Sequence, residues 1–558
     1  MDSPSITQPA TRADSPAIVA ERFSVRYPDA APALQPLDLS VKTGERVLLL
    51  GPSGSGKSTL VSCLVGLVPH STYAEIDGEL LIEGRSLWDH QPADLSRSVG
   101  VVFQDPDSQL TMLTVQDEVV FGLENLGVDP AAMDARISEA LAAVGLSDRR
   151  DERVDRLSGG MKQRLVIAAL LAMQPGILVL DEPTSNLDPA GVREITDLLG
   201  RLCRERPEMT LILVEHRLDP VVPLVDRVVV LDASGALALD APPADAFGLH
   251  AQRLAELNVW LPTEASARLA GASGRLDEWS APRRDTVLRR SASGSAVAGH
   301  ESAANATAGE PIVLAMEAVS FAYQWERPVL RDVSLAIRRG EVCAVVGANG
   351  SGKSTLASLA VGLRAPDRGR VLFDGRPIAR MAARELARRV GFVFQNPEHQ
   401  FVTDRVIDEV RFSMLEIPEE TVMRTLKALR LEEFAERNPF TLSHGQKRRL
   451  SAATMLVAPK ELLVLDEPTF GQDPSALEEL LQMLDALAEA GTAVIMVTHD
   501  MDLVWRRADR MVVMHEGAII ADGEPPNLFA DSALLAGAGI APPAVAAFQS
   551  ASGREATP

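Results

Sequence analysis

The strongest constraint on this chain is a glycine-rich phosphate-binding sequence that occurs twice, at residues 51–59 and 347–355. Both copies match G-x-x-x-x-G-K-[ST], a loop whose backbone N–H groups cradle phosphates while its lysine reaches the terminal ones. An apolar run precedes each copy and a helix-compatible run follows it. A strand, a glycine turn and a helix start in this order put the positive end of the helix on the phosphates. The sequence therefore predicts two nucleotide-binding units in one chain.

Every residue of the two loops is a candidate nucleotide-binding residue. In the first loop these are Gly51, Pro52, Ser53, Gly54, Ser55, Gly56, Lys57, Ser58 and Thr59. In the second loop they are Gly347, Ala348, Asn349, Gly350, Ser351, Gly352, Lys353, Ser354 and Thr355.

Composition narrows the class of protein. A chain of 558 residues is too long for one hydrophobic core. Its formal charge of −22 disfavours broad electrostatic binding to nucleic acid. The three cysteines, Cys63, Cys203 and Cys343, show no C-x-x-C spacing, which disfavours zinc or disulfide frameworks and fits a reducing cytoplasm. No apolar run reaches the roughly eighteen residues needed to span a bilayer, so we expect any membrane role to be peripheral.

The domain organisation follows from the spacing of repeated motifs. Lys57 and Lys353 are 296 positions apart, and Asp181 and Asp466 are 285 apart. Such similar offsets predict two duplicated domains. In each, β-branched apolar strands alternate with helical patterns, which indicates an α/β unit with a largely parallel core sheet. The predicted segments are a disordered lead-in (1–16), a first domain (17–248), a helical appendix with a flexible linker (249–311), a second domain (312–530) and a flexible tail (531–558).

A pair of acidic residues ends an apolar run in each half, so a buried strand delivers carboxylates at its C-terminal end. In P-loop ATPases the aspartate helps to hold Mg²⁺ together with the loop serine. The next carboxylate is then placed to polarise the attacking water. A strand that merely ends at a turn is the alternative, but the arrangement occurs twice downstream of a phosphate loop. The candidates are Ser58, Asp181 and Glu182 in the first half and Ser354, Asp466 and Glu467 in the second.

Each half also carries Leu-Ser-x-Gly before a basic helix, at residues 157–164 and 442–449. A serine followed by glycine at a helix start forms an anion site from hydroxyl and N–H groups. The order of P-loop, Leu-Ser-x-Gly and Leu-Asp-Glu-Pro-Thr resembles the nucleotide-binding domain of ABC ATPases over nearly the whole of both halves. The resemblance implies two tandem P-loop ATPase domains, each with a mainly parallel core sheet, helices and a helical signature subdomain. It also implies ATP and Mg²⁺ as cofactors.

The resemblance assigns roles to further residues. The family has a Gln loop that senses Mg²⁺, a switch histidine that contacts the γ-phosphate, and an aromatic residue that stacks on adenine. Their counterparts are Gln104, His216 and Tyr27 in the first half and Gln395, His499 and Tyr323 in the second. The signature residues expected at the nucleotides are Ser158, Gly159, Gly160, Ser443 and Gly445. A strand tyrosine and a surface histidine are the ordinary alternatives for two of these roles.

In ABC ATPases the halves pair head to tail, so that each nucleotide lies between one P-loop and the other half's signature segment. The resemblance therefore implies one site with Lys57 and Ser443 and another with Lys353 and Ser158. His444 replaces a signature glycine in the first of these sites. A side chain there would crowd the γ-phosphate, which predicts unequal turnover at the two sites.

Three stretches narrow the resemblance within the ABC family. Residues 103–125 and 394–400 resemble ATPase subunits of energy-coupling factor importers, and residues 442–456 are similar to the fused ATPase of the hydroxymethylpyrimidine/thiamine importers. This implies an ATP-hydrolysing subunit, peripheral on the cytoplasmic face of the membrane, for import of a vitamin, vitamin precursor or metal ion. Its implied partners are a transmembrane coupling protein and a small substrate-binding membrane protein. The sequence does not encode the cargo.

Two alternatives stay open at this level. Some acidic residues are candidate contacts for basic coupling helices of the membrane partner, or plain solvated surface; they are Asp105, Asp107, Asp117, Glu118 and Glu398. A soluble twin ABC ATPase acting on ribosomes or nucleic acid is the alternative function. Such proteins carry a long basic helical linker, whereas the linker here holds only a small cluster, Arg283, Arg284, Arg289 and Arg290.

Overall fold

The structure is a computed structural model that describes residues 16–28, 30–185, 187–273, 311–323, 328–412, 417–469 and 473–545. The chain divides into two compact units between Ala265 and Ser266. The predicted lead-in up to residue 15, the linker over 274–310 and the tail from 546 onwards lie outside the described residues.

The first unit contains two sheets. Its strands are β1 (Pro16–Arg26), β2 (Pro32–Lys42), β3 (Arg46–Leu50), β4 (Glu75–Ile82), β5 (Arg85–Ser86), β6 (Val99–Val102), β7 (Ile177–Asp181), β8 (Thr210–Val214), β9 (Arg227–Leu231) and β10 (Leu237–Ala241). One sheet is antiparallel, in the order β2-β1-β4-β5. The other has the order β10-β9-β3-β8-β7-β6, in which every pairing except β10-β9 is parallel.

The second unit repeats this arrangement. Its strands are β11 (Ile312–Ala322), β12 (Pro328–Arg338), β13 (Val342–Val346), β14 (Arg368–Phe373), β15 (Arg376–Pro377), β16 (Val390–Val393), β17 (Leu462–Asp466), β18 (Ala493–Val497), β19 (Arg510–His515) and β20 (Ala518–Gly523). The antiparallel sheet is ordered β12-β11-β14-β15 and the mainly parallel sheet β16-β17-β18-β13-β19-β20. The strand order is therefore the same in both units.

The helices flank these sheets. Those of the first unit are α1 (Lys57–Leu64), α2 (Leu67–His70), α3 (Pro92–Leu95), α4 (Val115–Asn125), α5 (Pro130–Ala143), α6 (Gly159–Met173), α7 (Pro189–Glu205), α8 (Pro243–Gly248) and α9 (Ala251–Glu256), and α10 (Thr263–Ala272) spans the division. Those of the second are α11 (Lys353–Ala360), α12 (Ala383–Arg389), α13 (Val406–Phe412), α14 (Glu419–Ala428), α15 (His444–Leu456), α16 (Pro474–Glu489), α17 (Met501–Arg507), α18 (Pro525–Phe529) and α19 (Ser532–Ala538).

The parallel strands lie in the apolar core, which is why their sequences are continuous hydrophobic runs. Every residue of β7 and β8 is buried, as expected for strands covered on both faces. In the first unit Phe23 of the antiparallel sheet, Leu60 of α1 and Val179 of β7 belong to one buried cluster. The carboxyl ends of parallel strands meet at one edge of a sheet, and this edge is where ligands bind in α/β folds.

The predicted fold class is confirmed: each unit has a mainly parallel sheet, and the helices between β6 and β7 pack together as a separate subdomain. The antiparallel sheet was not predicted. One expectation needs correction, because residues 532–538 of the predicted flexible tail form α19, with Leu535 and Ala538 buried. Among the described residues, no helix has the length and apolar character needed to cross a bilayer.

Candidate functional site

The phosphate loops follow β3 and β13 and lead directly into α1 and α11. Gly56 and Gly352 precede these helices with φ of 87° and 100°, a region that favours glycine. A Cβ on Gly56 would lie 2.2 Å from the carbonyl oxygen of Ala33. At Gly54 and Gly350, by contrast, a Cβ would meet no described heavy atom within 4 Å. The loop is thus tightly packed on its protein side and open on the other, which fits a cradle for phosphates.

The loop lysines lie against the turn that they follow. Lys57 Nζ donates to the carbonyl oxygens of Gly51 at 2.8 Å and Pro52 at 2.9 Å. Lys353 Nζ makes the same bonds to Gly347 at 2.8 Å and Ala348 at 2.9 Å. Both lysines are buried. Each loop therefore holds one buried ammonium group against the carbonyls of its own first residues.

The aspartates that end β7 and β17 have surroundings that suit the binding of a cation. Burial, reinforced by the neighbouring glutamate, raises the pKa of Asp181 to about 7 and that of Asp466 to about 6. Ser58 Oγ donates to Asp181 Oδ2 at 3.4 Å. The buried Oδ1 of Asp466 accepts no hydrogen bond from any described residue. A buried carboxylate oxygen beside the loop serine suits Mg²⁺, a hard cation that prefers oxygen ligands.

In the first unit the structure brings three predicted catalytic residues together. Glu182 Oε2 accepts a hydrogen bond from Gln104 Nε2 at 2.7 Å. Glu182 Oε1 lies 2.8 Å from His216 Nε2. Burial by itself would lower the pKa of His216, but the adjacent Glu182 outweighs it, and the pKa is raised. The carboxylate, amide and imidazole therefore converge on one point.

In the second unit the equivalent glutamate has different partners. Glu467 Oε1 lies 2.7 Å from His499 Nδ1, and Oε2 accepts from Thr498 Oγ1 at 3.3 Å and from His499 N at 3.4 Å. Among the residues that the structure describes, no hydrogen bond joins Gln395 to Glu467. His499 Nε2 is buried without a described hydrogen-bond partner, which suits contact with a phosphate oxygen.

Both glutamates have an unusual backbone conformation. Glu182 has φ of 51° and Glu467 of 56°, in the left-handed region that a residue with a side chain seldom adopts. Such strain persists where the surrounding structure enforces it, and it clusters at functional sites. Its recurrence in both units supports a functional reason for the position of these side chains.

The predicted adenine-stacking tyrosines lie beside the last residue of each loop. Tyr27 Oη is 3.4 Å from Thr59 Oγ1, and Tyr323 Oη is 3.1 Å from Thr355 Oγ1. The ring of Tyr323 also has the guanidinium carbon of Arg364 at 4.6 Å from its centroid. Each tyrosine is therefore adjacent to its phosphate loop.

The signature serines cap α6 and α15. Ser158 Oγ accepts from Met161 N, and Ser443 Oγ from Gln446 N, both at 3.4 Å. Across the described residues, no hydrogen bond joins Ser158 or Ser443 to the phosphate loop of its own unit. The structure thus does not bring signature and P-loop together within a unit.

Salt bridges connect these signature helices to the segment after each Gln loop. Lys162 pairs with Asp107, and Lys447 with Glu398, each at 2.5 Å. Two of the acidic residues considered as partner contacts are thereby engaged within the chain. Glu118 is buried and accepts from Thr111 N at 2.9 Å and Met112 N at 2.8 Å, so it is not an exposed contact.

Two of the buried charged residues that sequence reasoning missed, Glu215 and Arg448, contact segments of the candidate site. Glu215 lies next to the switch histidine, and burial raises its pKa although hydrogen bonds from Thr184 oppose the shift. Arg448 donates through Nη1 to the carbonyl oxygens of Phe394 at 3.0 Å and Asp466 at 3.2 Å. Burial lowers the pKa of Arg448 to about 10. A comparison of the two halves of the sequence could have found both, because the halves differ there. Thr498 stands at the position of Glu215, and Gln163 at the position of Arg448.

The sequence profile described as "ABC transporter" matches residues 34–185 and 330–470. "Putative HMP/thiamine import ATP-binding protein YkoD" of Bacillus subtilis (strain 168) is 39% identical over 516 residues, covering 92% of this chain and 92% of that protein. The chain belongs to the ABC transporter ATP-binding family. A "Putative ABC transporter ATP-binding protein" of Methanosarcina acetivorans is 39% identical over 553 residues, covering 95% of this chain and 89% of that protein.

The family membership confirms several predictions. The chain is an ATP-binding subunit of an ABC transporter, it is an ATPase, and it uses ATP with Mg²⁺. The roles of individual site residues and the predicted domain limits stay predictions.

Proposed function

We propose that this ABC ATPase energises an importer of the energy-coupling factor type. Its cargo is a vitamin, a vitamin precursor such as hydroxymethylpyrimidine or thiamine, or a metal ion. The name of the Bacillus subtilis relative supports hydroxymethylpyrimidine or thiamine as the cargo, since that protein is similar along 92% of this chain. The resemblance of residues 103–125 to energy-coupling factor ATPases supports the importer type.

The observation that supports the proposal is that both units contain every side chain to which we assign a role in hydrolysis. Each unit has a loop lysine, a buried aspartate at a strand end, and a glutamate in contact with the switch histidine. An ATPase that does work at both sites needs this set twice. In this proposal, Ser58, Gln104 and Asp181 hold Mg²⁺ at one site, and Ser354, Gln395 and Asp466 hold it at the other.

The proposal assigns the remaining roles as follows. Glu182 and Glu467 orient the attacking water, and His216 and His499 contact the γ-phosphate. Mg²⁺, when bound, would supply charge stabilisation together with the loop lysine and backbone N–H groups. We propose that the two units pair head to tail, so that Ser443 and Gly445 complete the Lys57 site. Ser158, Gly159 and Gly160 complete the Lys353 site in the same way.

The proposed partners are a transmembrane coupling protein and a small substrate-binding membrane protein. The ATPase then sits peripherally on the cytoplasmic face of the membrane. ATP binding closes the two units, hydrolysis reopens them, and the membrane subunits follow this cycle.

The deciding experiment is to purify the tagged full-length chain from the membranes of its own cells in mild detergent and to identify stoichiometric partners by mass spectrometry. Two polytopic membrane proteins are expected. Uptake of labelled thiamine or hydroxymethylpyrimidine by cells should then fall in a Glu182→Gln/Glu467→Gln variant. Ribosomal proteins as the stoichiometric partners would support the soluble alternative and overturn the importer.

A further inference from the structure

The two units differ at the residue that precedes the switch histidine. β8 (Thr210–Val214) is followed by Glu215 and β18 (Ala493–Val497) by Thr498. Both side chains are fully or almost fully buried, with 2% of Glu215 and none of Thr498 exposed. A carboxylate and a hydroxyl thus occupy equivalent interior positions next to the proposed catalytic glutamates.

Glu215 is held by four donors. Its Oε1 accepts from Thr184 N at 2.8 Å and from Thr184 Oγ1 at 2.6 Å. Its Oε2 accepts from His216 N at 3.0 Å and from Arg217 N at 3.4 Å. The side chain therefore joins the segment after Glu182 to the backbone of the switch histidine.

In the second unit the backbone N–H of the switch histidine has another acceptor. His499 N donates to Glu467 Oε2 at 3.4 Å, and Thr498 Oγ1 donates to the same oxygen at 3.3 Å. Thr498 thus provides a donor where the first unit has a carboxylate. These two bonds join Glu467 to the residues that follow β18.

The first unit excludes this arrangement. The N–H of His216 is already directed at Glu215, and a carboxylate at position 215 offers Glu182 no hydroxyl donor. Glu182 instead bonds to Gln104 Nε2 and His216 Nε2. We propose that Glu215 is a positioning residue, which keeps Glu182 on the Gln104 side of the switch histidine and makes the two ATPase sites unequal. This inference rests on the proposed roles of Glu182 and Glu467 in hydrolysis.

The test is a reciprocal exchange in the full-length chain. Glu215→Thr is measured in a Glu467→Gln background, where hydrolysis reports the Glu182 site. Thr498→Glu is measured in a Glu182→Gln background, where it reports the Glu467 site. We expect kcat to fall about five-fold with Glu215→Thr and to rise about five-fold with Thr498→Glu, the effect of one hydrogen bond of ordinary strength. The KM for ATP should change less than two-fold in both.

The two substitutions together distinguish a positioning role of residue 215 from a general loss of structure. Glu215→Thr can lower activity simply by loosening the fold, but Thr498→Glu cannot raise kcat in that way. An unchanged or reduced kcat with Thr498→Glu, or an unchanged kcat with Glu215→Thr, would overturn the inference. If the single variants Glu182→Gln and Glu467→Gln both retain full ATPase activity, the proposed role of these glutamates in hydrolysis fails. The two background variants alone show this, so this failure can be told apart from a failure of the Glu215 inference.

Discussion

The scaffold of the two units is repeated more faithfully than their active sites. Arg227 donates to Ser40 O and pairs with Asp240, and in the second unit Arg510 donates to Ala336 O and pairs with Asp522. At the ends of β8 and β18, in contrast, the partners of Glu182 and Glu467, the proposed catalytic glutamates, differ. The contacts that join the two sheets are thus the same in both units, whereas the hydrogen bonds of the two glutamates are not.

Two of the divergent positions belong, in the proposed head-to-tail pairing, to the same composite site. In that pairing His444 would belong to the site of Glu182, and Glu215 bonds to Thr184 and to the backbone of His216 in the same unit as Glu182. We expect the two residues to have opposite effects on kcat at this site. The histidine lowers it by crowding the γ-phosphate, and Glu215 raises it by holding Glu182 in position. The net difference between the sites is then smaller than either change alone would produce, and single variants are needed to reveal it.

The largest expected effect comes from removing the glutamates themselves. The Glu182→Gln/Glu467→Gln variant should lose about 100-fold or more of its ATPase activity, because general base catalysis typically contributes at least that much. Phosphate release at saturating ATP measures it, and retained nucleotide binding is the control. Of the two single variants, the one with less residual activity identifies the site that contributes more. Full activity in either would mark its site as non-hydrolytic.

The sequence predicted the reacting groups better than their arrangement. The spacing of glycine, lysine and serine located both phosphate loops, because that local pattern by itself dictates a strand, a turn and a helix start. The orientation of Glu182 was not predictable, since it depends on Glu215, which is 33 positions away along the chain and becomes a neighbour only through the pairing of β7 with β8. The antiparallel sheets were missed for a related reason, because their register is set by distant partners.

The loops after the Gln-loop segments offer the next comparison. Glu409 accepts from Val402 N at 3.0 Å and from both N and Oγ1 of Thr403 at 2.8 Å. Among the described residues, Glu118 accepts from two backbone N–H groups and no hydroxyl. Replacing either glutamate with alanine leaves buried donors unpaired, which costs about 1–3 kcal/mol of stability for each donor. Glu409→Ala should therefore destabilise its loop more than Glu118→Ala.

Hydrogen exchange of residues 110–114 and 401–405 measures this difference. Glu124→Ala, an exposed position on the same helix as Glu118, is the matched control and should leave both segments protected. Equal deprotection by Glu118→Ala and Glu409→Ala would show that the extra hydroxyl donor does not stabilise the second loop.

A smaller effect on kcat is expected from His444, which replaces a glycine of the signature segment. His444→Gly, in the Glu467→Gln background, should raise kcat of the Glu182 site about five-fold, the lower end of the cost of overcrowding a close-fitting site. The reciprocal Gly159→His, in the Glu182→Gln background, should lower kcat of the other site by a similar factor. Initial rates of phosphate release check both. A fall in kcat with His444→Gly would mean that the histidine assists the site.

The smallest predicted effect concerns the tyrosines. Tyr323 is 54% exposed and has Arg364 against its ring, whereas the position equivalent to Arg364 in the first unit is Val68, which is buried. A cation–π contact at an exposed site contributes about 0.5–1 kcal/mol, so Arg364→Ala should weaken ATP binding at the second P-loop about three-fold. Titration with ATP in a Lys57→Ala/Glu467→Gln background isolates that loop.

A double-variant cycle decides whether Arg364 acts through the tyrosine. Tyr323→Ala removes base stacking and should cost more, about 1–3 kcal/mol. If Arg364 only steadies the ring for adenine, Arg364→Ala should add nothing once Tyr323 is alanine, because the two changes remove the same contact. Arg368→Ala, another exposed arginine close in sequence, should leave affinity unchanged. An additive loss would show that Arg364 contacts the nucleotide independently, and the two units would then differ in nucleotide binding as well as in hydrolysis.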